Sequence, residues 1–235
     1  MNNNNLEILY TKHKKDFEQA LNIYENEYSH EELMQYLKNG SVAEKQAAAL
    51  KLDKICDKND ADILINNLTG CDGKIREAVS FRLVEFVKEN PDLYVNYSDI
   101  FLEAIIDING NICRNTINAL KYIKNIPEFN QTFCKELVKR TVNLAKTAKS
   151  FDIQDGKYKV NKEIFKLYWY LETVSEFTEC IDLTDIAGVV SQSKDVEDYT
   201  IREKTAKILS KLNNEDLSEM KKELKRDANY YVRRF

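Results

Sequence analysis

The sequence predicts an all-α fold built from pairs of helices stacked along the chain. Three observations carry this. Glycine and proline number only 6 and 2 among 235 residues, too few to turn the strands of a sheet protein. Apolar residues recur at steps of three and four in segment after segment, the spacing of helix faces. The phrase "IREAVSFRLVEF" at 75–86 returns as "IREKTAKILSKL" at 201–212, with its apolar stripe as well as its first letters in place. At this length, with 43% hydrophobic residues, one body can bury a core without disulfide or metal staples.

The elements follow in order. After the Asn2–Asn5 tract, Tyr10, His13, Phe17, Leu21, Tyr24 and Tyr28 share one face of a helix, expected to cap whatever follows. "SHEELMQYLKNG" is a short helix with a capping box in Ser29 and Glu32 and a left-handed stop at Gly40. "SVAEKQAAALKLDKI" opens with a second box, Ser41 and Glu44, so two helices meet with almost no loop and lie antiparallel. "DADILINNLTG", the turn "CDGK" and the stripe Ile75, Val79, Leu83 and Phe86 repeat the unit. "YSDIFLEAIIDING" and "NICRNTINALKYI" form a third pair, with Ile112, Thr116, Leu120 and Ile123 inward, and Pro127 marks a helix boundary. The fourth pair runs from 128 to 177, interrupted by a polar loop around "FDIQDGKYK". "DLTDIAGVVSQS" and "YTIREKTAKILSKL" are the fifth, and from Asn214 one continuous helix is expected to close the stack.

Aligning the second helices on their stripes places equivalent positions at Lys45, Arg76, Cys113, Asn161, Arg202 and Arg233, with spacings of 31, 37, 48, 41 and 31. Asp72 stands before Ile75-Arg76 and Leu83 as Asp198 stands before Ile201-Arg202 and Leu209, and Asn229 before Val232-Arg233. These residues resemble the HEAT-like helical repeats, whose second helix opens with an Asp, a branched aliphatic and an Arg. Cys113, Lys45 and Asn161 depart from the pattern. The resemblance covers roughly residues 30–235 and implies a right-handed α-α superhelix, a HEAT/armadillo-like solenoid of about five helix pairs. Residues 1–29 would form its N-terminal cap. It also implies that Asp72, Arg76, Asp198 and Arg202 are structural, tying neighbouring repeats through hydrogen bonds.

Little in the sequence points to chemistry. The five cysteines are 15, 42, 21 and 46 residues apart, without the close pairs of a zinc or redox motif. They are expected to be reduced and structural in a cytoplasmic protein. Neither of the two histidines, His13 and His30, has a nearby Cys or Ser in a recognisable nucleophile setting. "GCDGK" lacks the spacing of a phosphate loop, and "DIQDGKYKVNKE" loses two carboxylates of a calcium loop. No catalysis, metal or cofactor is expected, and no apolar run is long enough to span a membrane.

Charge is unevenly spread: residues 1–112 carry 12 basic and 20 acidic side chains, residues 113–166 carry 12 and 5, and residues 167–235 carry 11 and 14. The basic middle and the aromatic run "IFKLYWYL" together nominate a partner surface at Arg114, Lys121, Lys162, Phe165, Lys166 and Trp169, since aromatic residues beside basic ones anchor partners. A stacked array exposes an extended surface, so the expected function is a non-catalytic scaffold or adaptor for another protein. The basic segment 113–166 keeps nucleic acid open as a second partner. By resemblance, HEAT-like DNA alkylation-repair glycosylases and bilin lyase-like HEAT proteins are the enzymatic alternatives.

Overall fold

The computed structural model describes the backbone of residues 3–149 and 157–235 and the side chains of residues 14–148 and 162–235. Every regular element among the described residues is helical, and helices pack in pairs, as the sequence predicts. The chain divides into two compact units, Met1–Ala104 with Asn109–Ile123, and Ile105–Ile108 with Lys124–Phe235.

In the first unit, α1 (Asn3–Glu25), α3 (Val42–Lys51), α5 (Gly73–Glu89) and α7 (Gly110–Leu120) stack in one row. Against them lie α2 (His30–Asn39), α4 (Lys58–Ile65), a 3-10 turn at Pro91–Tyr94 and α6 (Ser98–Ala104). Both capping boxes are closed: Ser29 Oγ accepts from Glu32 N and Ser41 Oγ from Glu44 N, while each Glu carboxylate accepts from its serine's N–H. Gly40, however, is extended, with φ −70° and ψ 169°. What requires glycine there is closeness, because a Cβ would stand 2.6 Å from the Tyr36 carbonyl oxygen and 2.9 Å from Glu44 Cβ. Among the described residues the left-handed one is Gly70, at φ 71°, in the turn that re-aims the chain from α4 into α5.

In the second unit, α8 (Pro127–Lys149) pairs with α9 (Lys157–Glu176), and α10 (Leu183–Ser193) with α11 (Tyr199–Ser210). α8 lies beside α10 and α9 beside α11, so two rows form here as well. Pro127 is the first residue of α8, where its missing N–H costs nothing. Most of the expected loop at 151–159 falls outside the described residues. The C-terminal segment departs from the expectation of one helix. A 3-10 turn and α12 (Ser218–Lys225) end at Arg226, and a new turn leads into α13 (Tyr230–Arg233), which packs on α11. Asn229 caps α13 through Tyr231 N at 2.9 Å, as a repeat turn would.

That turn is the structural form of the repeated phrase. Ser41, Asp72, Asn109, Asp198 and Asn229 all cap the second helix of their pair. Each stands four residues before the aligned positions Lys45, Arg76, Cys113, Arg202 and Arg233. The three arginines then fold back on their own turns. Arg76 donates to the Cys71 carbonyl, Arg202 to those of Val196 at 2.9 Å and Glu197 at 2.5 Å, and Arg233 to those of Asp227 at 3.1 Å and Ala228 at 2.6 Å. Arg202 also reaches the next turn as a fork, Nε to Asp227 Oδ2 at 2.6 Å and Nη2 to Oδ1 at 3.3 Å. Asp72 and Asp198 thus serve as helix caps, and in the second unit Asp227 joins the turn before α13 to the one before α11.

A second set of polar links runs along the rows. Lys51 of α3 donates to the carbonyls of Ile23 at 2.8 Å and Tyr24 at 3.2 Å, Arg82 of α5 to that of Leu52 at 2.7 Å, and Lys211 after α11 to that of Ser175 at 2.5 Å. Each cation meets carbonyls at the C-terminal end of the preceding helix of its row, where four are left without intrahelical partners and the dipole is negative. Between α9 and α11, Glu172 accepts from Lys207 at 2.8 Å and lies 2.8 Å from Lys204, and the Lys204 ammonium sits 4.4 Å from the centre of the Tyr168 ring. Burial pushes Glu172 up, but the hydrogen bonds from Lys204 and Lys207 outweigh it and hold the carboxyl below its ordinary range.

Candidate functional site

Of the stripe predicted for α1, Phe17, Leu21 and Tyr24 face outward, while Tyr28 falls beyond the helix end, half-buried and edge to face with Tyr36. Phe17, Leu21 and Tyr24 are 66%, 42% and 66% exposed, and among the described side chains of α1 the buried one is Ile23, at 1%. Tyr10 and His13 lie outside the described side chains. The reason is visible in the partner helix. α3, which packs on α1, buries Ala47, Ala48 and Ala49, side chains too small to fill the space beside the larger residues of α1. Across from the exposed stripe, α3 adds Val42 and Leu50, 42% and 38% exposed. The two helices bound a groove of about 670 Å³ lined by Phe17, Leu21, Tyr24, Val42 and Leu50, with Asp16, Asp72 and Lys74 among the polar residues on its border. Large apolar side chains clustered in this way mark interaction sites more often than scattered exposed ones do.

The surface nominated from sequence is arranged differently. Arg114 and Lys121, on and just after α7, belong to the first unit, and both are exposed; Lys121 Nζ donates to Asn118 Oδ1 at 3.1 Å. Lys162, Phe165, Lys166 and Trp169 lie along α9 in the second unit. Lys162 is exposed, Phe165 half-buried, and Lys166 donates to Glu163 at 2.9 Å. Trp169 departs from the expectation of a surface anchor, because only 8% of it reaches solvent. Its ring meets Phe165 and Tyr168 edge to face, at 6.2 and 5.3 Å between centroids. Since α9 packs on both α8 and α11, its flanks as well as its stripe are enclosed. Other members of the basic segment face carboxylates: Lys124 pairs with Glu179, and Lys139 and Arg140 with Glu136 at 3.1 and 2.9 Å.

A second groove, about 860 Å³, runs between α8 and α10 and is lined by Asn130, Cys134, Lys135, Cys180 and Asp185 among others. Its thiols are occupied. Cys134 donates to Asn130 Oδ1 at 2.7 Å and Cys180 to the Lys124 carbonyl at 3.6 Å, and burial pushes the Cys134 thiol up to about 12. A thiol so disposed is not a nucleophile near neutral pH.

No metal ligands are expected from the sequence. The structure nonetheless brings His30, Cys56 and Asp60 together, with imidazole, thiol and carboxylate atoms all within 4.8 Å of one another. The signal in the sequence is faint: Cys56 and Asp60 are four apart, and His30 begins the equivalent helix of the preceding pair.

No family model matches the chain, and no curated protein matches it. Among solved structures, the crystal structure of an engineered protein from the Northeast Structural Genomics Consortium is similar over 87% of this chain and 92% of that one, at 14% identity and a TM-score of 0.45. No described helix is long and apolar enough to cross a membrane.

Proposed function

We propose that this is a HEAT-like helical-repeat protein of the cytoplasm whose work is to hold another protein, without chemistry of its own. The observation that carries the reading is the groove between α1 and α3, where Phe17, Leu21 and Tyr24 stand exposed at helical spacing opposite Val42 and Leu50. A row of anchors at i, i+4 and i+7 beside a parallel apolar wall suits an amphipathic helix of the partner laid along it. The HEAT-like assignment draws support from the cap four residues before each aligned position and from arginines folded back on their turns. Five free thiols suit a reducing compartment.

The nucleic-acid reading is the weaker second, because Lys124, Lys139, Arg140 and Lys166 of the basic segment already face carboxylates. The glycosylase and bilin-lyase alternatives rest on repeat resemblance alone.

The test compares affinity capture by the wild-type chain with capture by Phe17→Asp/Leu21→Asp, both first shown to melt alike. These side chains are exposed, so the double variant is expected to fold. The reading requires proteins held by the wild type and released by the variant, and identical lists would refute it. Duplex DNA titrated at two salt concentrations checks the second reading, which a flat response eliminates.

A further inference from the structure

Three donors of different chemistry converge in the first unit, where α2 and α4 begin. His30 is the first residue of α2, Cys56 lies in the connection ahead of α4, and Asp60 is in the first turn of α4. His30 Nε2 stands 2.6 Å from Asp60 Oδ2, and the same oxygen accepts from the Cys56 N–H at 3.0 Å. The carboxylate is not needed as a helix cap, since Asp57 caps α4 by accepting from Asp60 N at 3.0 Å. Asp60 is nonetheless 7% exposed, and a carboxylate is seldom placed so deep without a cationic or metal partner. The second ring nitrogen, His30 Nδ1, is buried without a partner in the protein. No protein partner at Nδ1 therefore fixes the tautomer of the ring, and Nε2 is able to turn its lone pair to a metal.

We propose that His30, Cys56 and Asp60 bind one divalent, zinc-like cation. An imidazole nitrogen, a thiolate and a carboxylate oxygen form the donor set such ions take, at about 2.0–2.3 Å from the metal. Tetrahedral bonds of that length place the donor atoms roughly 3.3–3.7 Å apart, inside the 4.8 Å that contains them here. The proton now shared by His30 and Asp60 is what the ion displaces. It passes to the other ring nitrogen, Nδ1, so that the imidazole stays neutral, while the Cys56 thiol proton leaves for solvent, and His30 and Asp60 separate by about 1 Å or less to admit the metal. Cys56 is exposed, so the fourth position opens to water. Bound there, the ion clasps the start of α2 to the start of α4, two helices of neighbouring pairs.

Cobalt(II) titrated into the reduced full chain reads the site directly. The expected result is a thiolate-to-cobalt charge-transfer absorption that saturates at one ion per chain, is displaced by zinc, and disappears in Cys56→Ser. Because Cys56 is exposed, that variant should keep the metal-free melting temperature of the wild type. His30→Gln should also abolish the band, and zinc should raise the melting temperature of the wild type but not of Cys56→Ser. Absence of the band overturns the proposal. So does a band of undiminished strength in Cys56→Ser, since another cysteine would then supply the thiolate.

Discussion

Arg202→Ala removes the side chain that ties two successive turns in the second unit. The guanidinium makes a fork to Asp227 and two bonds to the Val196 and Glu197 carbonyls. Its loss leaves Asp227 with the Asn229 N–H at 2.7 Å as its remaining donor among these contacts. Breaking a fully buried pair on one side costs about 3–5 kcal/mol. Here the two side chains keep 19% and 10% of their surface in water, which returns part of that, so we expect about 2–3 kcal/mol. Repeat arrays are stabilised by contacts between neighbours, and α12 and α13 pack on α11. The cost should therefore appear as opening of residues 214–235. Amide hydrogen exchange is the assay: 2–3 kcal/mol speeds exchange there by about 30- to 150-fold. Amides of α9 should change little. Equal exchange in wild type and variant, or acceleration spread evenly over the second unit, would refute the ladder as the element that holds the terminal turn.

Gly40→Ala should lower the melting temperature, losing about 1–3 kcal/mol because the new methyl group collides with backbone; Gly188→Ala, in α10 with nothing within 4 Å of its Cβ, should raise it, gaining about 0.5–1 kcal/mol. The same sign for both would show that space is not what distinguishes them. Thiol labelling followed by mass spectrometry should modify exposed Cys56 first and buried Cys113 and Cys134 last; early labelling of Cys134 would contradict its burial. Glu172 is held below the ordinary carboxylate range, so its stabilisation is complete above that range and is lost as pH falls through it towards the folded value. Glu172→Gln should accordingly destabilise the chain near pH 7, and the difference from wild type in urea unfolding should shrink on acidification. A difference independent of pH would remove the charge from the account.

The helix pairs were legible because their signals are local. Ser29 with Glu32, Ser41 with Glu44, Asp72 and Asp198 announce helix starts through bonds that span three residues or fewer. The stripes from Ile75 to Phe86 and from Ile201 to Leu209 need only a period of 3.6 to be seen, and their residues are buried. What was not legible depends on a neighbour. Phe17, Leu21 and Tyr24 look like any packed stripe, and only the burial of Ile23, on another face of α1, shows that they stay outside. Trp169 looks like a flank residue until α8 and α11 close on both sides of α9. Gly40 reads as a left-handed stop because the commonest reason for glycine after a helix is its φ, whereas here the reason is the Tyr36 carbonyl. His30, Cys56 and Asp60 converge through the stacking of α2 against α4, which no spacing in the sequence encodes. At the C-terminus, the even spacing of Leu217, Met220, Leu224, Ala228, Tyr231 and Phe235 conceals a break, since both sides of a turn can keep the period of one helix.

The turn that closes each pair also bears on how such a chain can be lengthened or shortened. Its cap serves the helix that follows, and its arginine, where present, reaches carbonyls only five or six residues back. All the parts of one closure therefore travel within a segment of about seven residues. A duplication or excision bounded just before that segment carries a complete closure to its new neighbour, while one bounded inside it carries a cap without its arginine or the reverse. Intervals between aligned positions range from 31 to 48 residues, so the spacing between closures varies while the closure itself stays short.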